Sequence, residues 1–274
     1  MKKFLSLVLS VVVTLTACLT FASCGKDGNV YAGLTVLPTD IFATEDYGVA
    51  FRKGSDLAGR LDAMFAADFA DGTAARVAAT YGVDGSLVTE FTARAAGEVT
   101  DRDYNAIRAK GKLVVGVTYF DGMDYQDAEG NWIGFDADMA KRFAASLGVT
   151  AEFVVIDWEK KLIDLNAGNI DCIWNGMTVT DAILNACEVS GTYMVNGQVL
   201  VIKEGAYKSL SELAGKVIAV EGGSAGYYQA TENLGNCEIK EVTAQVNALL
   251  EVKAGTADAC VVDYVLAKSL LDID

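Results

Sequence analysis

The sequence predicts an α/β protein with parallel sheets flanked by helices, and three observations carry that prediction. Short runs rich in β-branched residues recur at 113–117, 151–156, 170–174, 199–202, 217–220 and 259–262. Amphipathic stretches such as 138–147 and 243–253 separate them. The 274 residues are 52% apolar with 27 glycines and one proline, which fits packed layers and excludes a low-complexity or collagen-like chain. Taken in order, 56–80 shows a helical pattern, 95–100 reads as a linker and 101–110 as a short helix, after which strand and helix alternate to the end. Such alternation implies parallel strands joined by helical crossovers. The length suffices for one large or two medium domains.

Charge and composition remove whole classes of chemistry. Lys and Arg number 22 against 37 Asp and Glu, a net charge of −15, so the field of the molecule repels phosphate, and no nucleic-acid partner is expected. There is no histidine, which excludes Ser-His-Asp and Cys-His nucleophiles and His-ligated zinc. No catalytic residue, metal or cofactor is expected.

Residues 1–23 combine Lys2 and Lys3, an apolar run and small residues, the pattern of an export signal. Phe21-Ala22-Ser23-Cys24 resembles the lipobox of bacterial lipoproteins, with Cys24 the acylated residue and 24–30 a linker from the lipid anchor. Leu15-Thr16-Ala17-Cys18 fits the consensus better but leaves apolar Leu19-Thr20-Phe21 on the mature end, and a simple secretory signal is the alternative. The expected location is extracytoplasmic, at the outer face of the cytoplasmic membrane. Cys172, Cys187, Cys237 and Cys260 form no CxxC; Cys172 and Cys260 sit in apolar runs that suit buried small residues, and a disulfide stays open.

From Lys112 onward, family motifs follow one another. Gly134-Phe135-Asp136-Ala137-Asp138-Met139-Ala140 with Leu147-Gly148-Val149, then Asp157-Trp158, then Asn175-Gly176-Met177-Thr178, then Gly215-Lys216-Val217 with Gly223-Ser224-Ala225-Gly226, and Gly255-Thr256-Ala257-Asp258 through Asp263 occur in this order. Together they resemble the extracytoplasmic solute-binding proteins of polar amino-acid ABC transporters, family 3 type. One further motif, Glu45-Asp46-Tyr47-Gly48-Val49-Ala50-Phe51-Arg52-Lys53-Gly54 with Ala70-Asp71-Gly72-Thr73, resembles the stretch that closes family members at their C-terminus, yet here it comes first. The resemblance therefore implies a circularly permuted two-lobe periplasmic-binding-protein type II fold. Lobe one is expected at 40–197 and lobe two at 200–274 completed by 31–37, with 95–100 joining the family's usual ends. Pro38 falls near the hinge or in an ordinary turn.

The resemblance also implies a ligand site. A buried zwitterion needs an anion for its ammonium and donors for its carboxylate. Asp263 matches the family's ammonium-binding aspartate, although a helix N-cap is its other reading. Ser224 and the Ala225 amide match carboxylate binders on a Gly-rich turn, and Thr178 and the Gly176 backbone, with Asn175 beside them, match first-lobe contacts. Trp158 corresponds to one aromatic wall and Tyr119 or Phe120 to the other, unless these are core.

Ile183 stands where relatives commonly carry an arginine that grips the α-carboxylate. Lys161 either reaches into that gap or lies on a solvated helix face. Glu221 sits where some relatives have a base, and Asp121 and Asp124 stand on the first-lobe loop, so the cleft is expected to be acidic. The implied function is a monomeric, lipid-anchored protein that captures a small polar solute, an amino acid or an amine-bearing relative, for an ABC permease and its ATPase. Alternatives on the same scaffold are a dehydratase-like enzyme, with Glu221 or Asp121 as the acid, or a sensory binding protein.

Overall fold

The β-branched runs and the stretches between them form two sheets in the computed structural model, which describes residues 29–95, 102–271 and 273. The export signal, Cys24 and the join from residue 96 to 100 lie outside the described residues. Five strands, Ala50–Arg52 (β3), Lys112–Val117 (β4), Thr150–Val155 (β7), Cys172–Ile173 (β8) and Cys187–Val189 (β9), make one sheet in the order β7-β4-β8-β3-β9. The other runs β1-β10-β13-β11-β12 from Leu34–Leu37 (β1), Met194–Lys203 (β10), Val217–Glu221 (β11), Glu238–Val242 (β12) and Ala259–Asp263 (β13), with Thr44–Tyr47 (β2) paired to the first half of β10. A two-stranded hairpin, Tyr125–Gln126 (β5) with Trp132–Ile133 (β6), stands apart.

The expected parallel sheets are present, each with antiparallel strands added. β4 is parallel to β7 and β8, and β11 to β12 and β13, joined by helical crossovers. But β3 is antiparallel to β8 and β9, and β10 to β1, β2 and β13. The reason is connectivity: β2 with β3, and β10, are the segments that run from one sheet to the other, and each enters against the local strand direction.

The helices are Leu57–Ala70 (α1), Thr73–Thr80 (α2), Arg102–Lys110 (α3), Phe135–Ser146 (α4), Lys161–Ala167 (α5), Asp181–Ala186 (α6), Ala225–Asn233 (α7), Gln245–Ala254 (α8) and Tyr264–Leu270 (α9). The single helical pattern at 56–80 is two helices, because the Asp71 carboxylate turns forward to accept the Thr73 N–H at 2.8 Å. β10 begins five residues before the expected run at 199–202; Asn196 and Gln198 hid its first half. Both are buried and face other polar groups rather than apolar ones.

Phe51, Phe65, Phe143, Trp174 and Tyr193 pack edge and face beneath the five-stranded sheet, and Leu200, Leu213, Ile218, Val220 and Val261 fill the other. Each fully buried side chain of this size contributes about 1.5–3 kcal/mol. Cys172, Cys187 and Cys260 are buried free thiols, and Cys237 is a half-buried one. Arg94 and Tyr104, which flank the join, donate their backbone N–H groups to Asp62 (2.8 Å), within helix α1, and to Asp56 (3.1 Å), its N-cap. The Asn29 side chain donates to the Leu270 carbonyl at 3.0 Å. Among the described residues no helix is long and apolar enough to cross a membrane.

Candidate functional site

Neighbouring parallel strands end at the same sheet edge, so β11 and β13 deliver their last residues, Glu221 and Asp263, side by side. The register of β2 on β10 sets Glu45 opposite Asn196 at the point where the chain crosses between the sheets. Three carboxyl groups from three strands thus share one buried space: Glu45 is 7% exposed, Glu221 2% and Asp263 5%. Amides hold Glu45 and Asp263 there. Asn196 Nδ2 donates to Glu45 Oε1 (2.6 Å) and Asp263 Oδ1 (3.0 Å), and Gln198 Nε2 donates to Glu45 Oε1 (2.7 Å) and to Asp263 Oδ1. Gln245, opening α8, donates to Asp263 Oδ2 at 2.5 Å and accepts the Asp263 N–H at 2.7 Å. The Tyr47 hydroxyl faces Asp263, and the Thr178 hydroxyl donates to Glu45 Oε2 at 3.0 Å.

Burial of like charges in one place favours the protonated forms. Burial first, and then the neighbouring Asp263, pushes Glu45 and Glu221 each up to about 8. Asp263 is itself raised, chiefly by burial, against four hydrogen bonds that favour its charge. The Lys161 ammonium faces Glu221, and burial holds it below its usual value.

Lys161 does not lie on a solvated face. Its Nζ donates to the carbonyls of Trp158 and Gly223, both at 3.0 Å, and sits 4.8 Å from the centre of the Trp158 ring. It therefore ties the half built on the five-stranded sheet to the β11–α7 turn of the other. A Cβ on Gly223, whose φ is +67°, would stand 3.0 Å from Glu159 Cα, so the two halves approach backbone to backbone here. Thr118, at the end of β4, faces Glu221 across the same gap. A hollow of about 410 Å³ on the hinge side reaches Asn196 and Gln198, lined also by Thr44, Leu87 and Tyr264.

The structure distributes the remaining expected residues differently. Ser224 caps α7, its Oγ accepting the Tyr227 N–H at 3.1 Å, and Ala225 is the first residue of that helix. Asn175 has every polar position filled: its Nδ2 donates to the Thr118 carbonyl and to Asp124, and its Oδ1 accepts from the Thr118 N–H and hydroxyl. The Gly176 N–H goes to Asp136 at 2.8 Å, and a Cβ at this φ of +54° would meet the rings of Phe120 and Tyr47 at 2.9 Å. Asp124 lies fully buried inside the first half against Asn175, beside Asp136, rather than on an open loop. Asp121 faces the phenols of Tyr31 and Tyr125.

Phe120 is 2% exposed and packs as core, whereas Tyr119 is 39% exposed and stacks on Trp132. Ile183 is buried in the cluster of Trp158, Leu165 and Met177, so its position offers a ligand only hydrocarbon. Asp263 stands at the N-cap position of α9, but its side chain makes no cap bond and is held by the amides instead.

Glu45, Tyr47, Asn196, Gln198 and Gln245 went unnoticed in the sequence. The signal available was period two: Asn196 and Gln198 share one face of a strand whose other buried neighbours are apolar, and so do Glu45 and Tyr47. Among the described residues no group of acidic and cysteine side chains is placed to hold a metal ion.

Comparison with known proteins follows the same outline. The L-cystine-binding protein TcyJ of Escherichia coli strain K12 is 27% identical over 171 residues, 61% of this chain and 64% of its own length. The chain thus spans about 64% of the length of this curated relative. Among solved structures, holo ArgBP from T. maritima aligns with a TM-score of 0.56 and 31% identity over 60% of this chain and 74% of that one. The ancestral amino acid-binding protein AncCDT-1, described as a precursor of cyclohexadienyl dehydratase, aligns with a TM-score of 0.57 and 32% identity over 60% of this chain and 75% of its own. The sequence model of one family matches residues 113–262, more than half of the chain, and on that match the chain belongs to the bacterial extracellular solute-binding proteins, family 3.

Proposed function

We propose that this protein captures a small polar solute carrying an amino group between two lobes, residues 40–197 and residues 31–37 with 200–274, and passes it to an ABC permease and its ATPase. It does so as a monomer outside the cytoplasm, held to the membrane by a lipid on Cys24. The observation that carries the reading is the buried Glu45–Asp263–Glu221 group at the seam of the halves, where Lys161 already bridges them. Buried carboxyls are retained at such a seam when a cation is to be met there. Relatives named for binding cystine and arginine support an amine-bearing guest. Ligand would act by favouring the closed arrangement through contacts made with both halves at once.

We also propose that the chain is circularly permuted. The early position of the closing motif supports this, as does the attachment of both flanks of the join to α1 and the meeting of Asn29 with Leu270. A chain rebuilt to start at residue 101 and to run through a linker from 271 to 29 is expected to give the same circular dichroism and the same ligand response. Failure of that chain to fold would count against the permutation alone.

The test of function is a thermal-shift screen of the mature protein against amino acids, amines and small peptides. A true ligand at about 100 times its Kd should stabilise by about 3 kcal/mol. Asp263→Ala should abolish the shift while retaining a cooperative melt. No response across the whole panel would overturn solute capture.

A further inference from the structure

The polar inventory of the cleft is one-sided. Facing the carboxyl group are Glu45 from β2, Glu221 from β11, Asp263 from β13, the Tyr47 phenol and the Lys161 ammonium, with Asp157 behind Glu221. Most side-chain donors at the seam are already placed. Asn196, Gln198 and Gln245 donate to Glu45 and Asp263, Thr178 donates to Glu45, and Lys161 donates to two backbone carbonyls.

Among the described residues, the buried seam atoms without a hydrogen-bond partner are the acceptors Glu221 Oε1 and Gln198 Oε1 and the Tyr47 hydroxyl, which faces Asp263. The orientation of Gln198 is dictated, because turning its amide would aim its oxygen at both Glu45 and Asp263. Buried acceptors without donors are costly to keep empty. Ile183, packed against Trp158, adds no base.

On the reading of solute capture, we infer that the guest is an organic amine without a carboxylate, a diamine or an aminoalkylguanidine, whose N–H groups satisfy Glu221 Oε1 and Gln198 Oε1 and whose charge is shared by Glu45, Asp263 and Glu221. An amino acid would bring a carboxylate into the space shared by three carboxyl groups, where the Lys161 ammonium already has two of its three N–H groups committed to Trp158 and Gly223.

Matched pairs decide the matter: lysine against 1,5-diaminopentane, ornithine against 1,4-diaminobutane, and arginine against agmatine, titrated calorimetrically into the mature protein at pH 8. The amine of each pair should bind at least tenfold more tightly. If the amino acids bind equally or better, the inference fails and solute capture stands; if no member of any pair binds and the wider screen is silent as well, both fall. Glu221→Gln, a neutral copy of the same shape, should weaken the amine by about tenfold and narrow the ratio within each pair. An unchanged ratio in a variant that melts normally would also overturn the inference.

Discussion

Raising the pH from 5 to 8 should weaken the ligand-free protein, and Glu221 sets the scale. In the folded chain this carboxyl titrates near 8, pushed there by burial and then by Asp263, against 4.5 for the ordinary group. Between those values the folded state holds a proton that the unfolded chain has released. The stability tied to it is complete below about pH 4.5 and is lost as the pH climbs through 8. One retained proton changes stability by about 1.4 kcal/mol per pH unit, so three units amount to roughly 4 kcal/mol. For a chain of this size that is on the order of 10 °C in melting midpoint. Glu45 and Asp136, raised to about 8 and about 7, act in the same direction. Groups held low, such as Glu251 and Asp258, change below the window. Melting curves at pH 5, 6.5 and 8 on the wild type and Glu221→Gln provide the assay. Glutamine imitates the protonated acid, so the variant should match the wild type at pH 5 and exceed it at pH 8. A wild-type midpoint that stays level or rises toward pH 8, or a variant that falls as steeply, would refute the reasoning.

Other expectations rest on single contacts. Gly223→Ala places a methyl group 3.0 Å from Glu159 Cα in a backbone conformation that disfavours a side chain by about 1–2 kcal/mol. Ligand affinity should drop about tenfold and small-angle scattering should show a wider ligand-free particle; unchanged scattering and affinity would remove Gly223 from the closing contact. Asp171→Ala strips partners from Lys110 Nζ (2.5 Å), Arg52 (3.4 Å) and the Val114 N–H (2.7 Å). A loss of about 3 kcal/mol in denaturant unfolding is expected, and a loss under about 1 kcal/mol would mean that water replaces those bonds.

Much of the fold was legible because strand cores are monotonous: 217–220 and 259–262 are runs that only a covered strand explains, and the acid that ends each run is visible as an exception to it. Glu221 and Asp263 were therefore within reach of pattern alone. Asn196 and Gln198 were not, because polar residues on the buried face cancel the hydrophobic alternation by which a strand is recognised. Their meaning exists only once Glu45 and Asp263 lie against them. Asn175 and Asp124 mislead in the opposite sense. They read as cleft polarity, yet they bond each other and Thr118 inside one half. Spacing along a chain cannot reveal which side of a strand's end a short polar residue turns toward.

The placement of Glu45 shows why chain order matters so little to the site. It meets Asn196 across 151 positions and Gln198 across 153, although in the proposed ancestral order β2 would follow α9 closely. Closing a longer loop costs only about 0.6 kcal/mol for each doubling, so moving β2 to the front leaves the folded balance nearly intact. Its main effect falls on folding rate, through more distant pairings. The proposed displacement would also account for the reach of the comparisons. A linear alignment can follow only one of the two pieces, and the family match accordingly runs from 113 to 262, including Asn196, Gln198 and Glu221 but stopping before Asp263 and never reaching Glu45. The carboxyl group most distant in sequence is thus the one that alignment alone would leave out, while the pairing of β2 with β10 brings it to the centre.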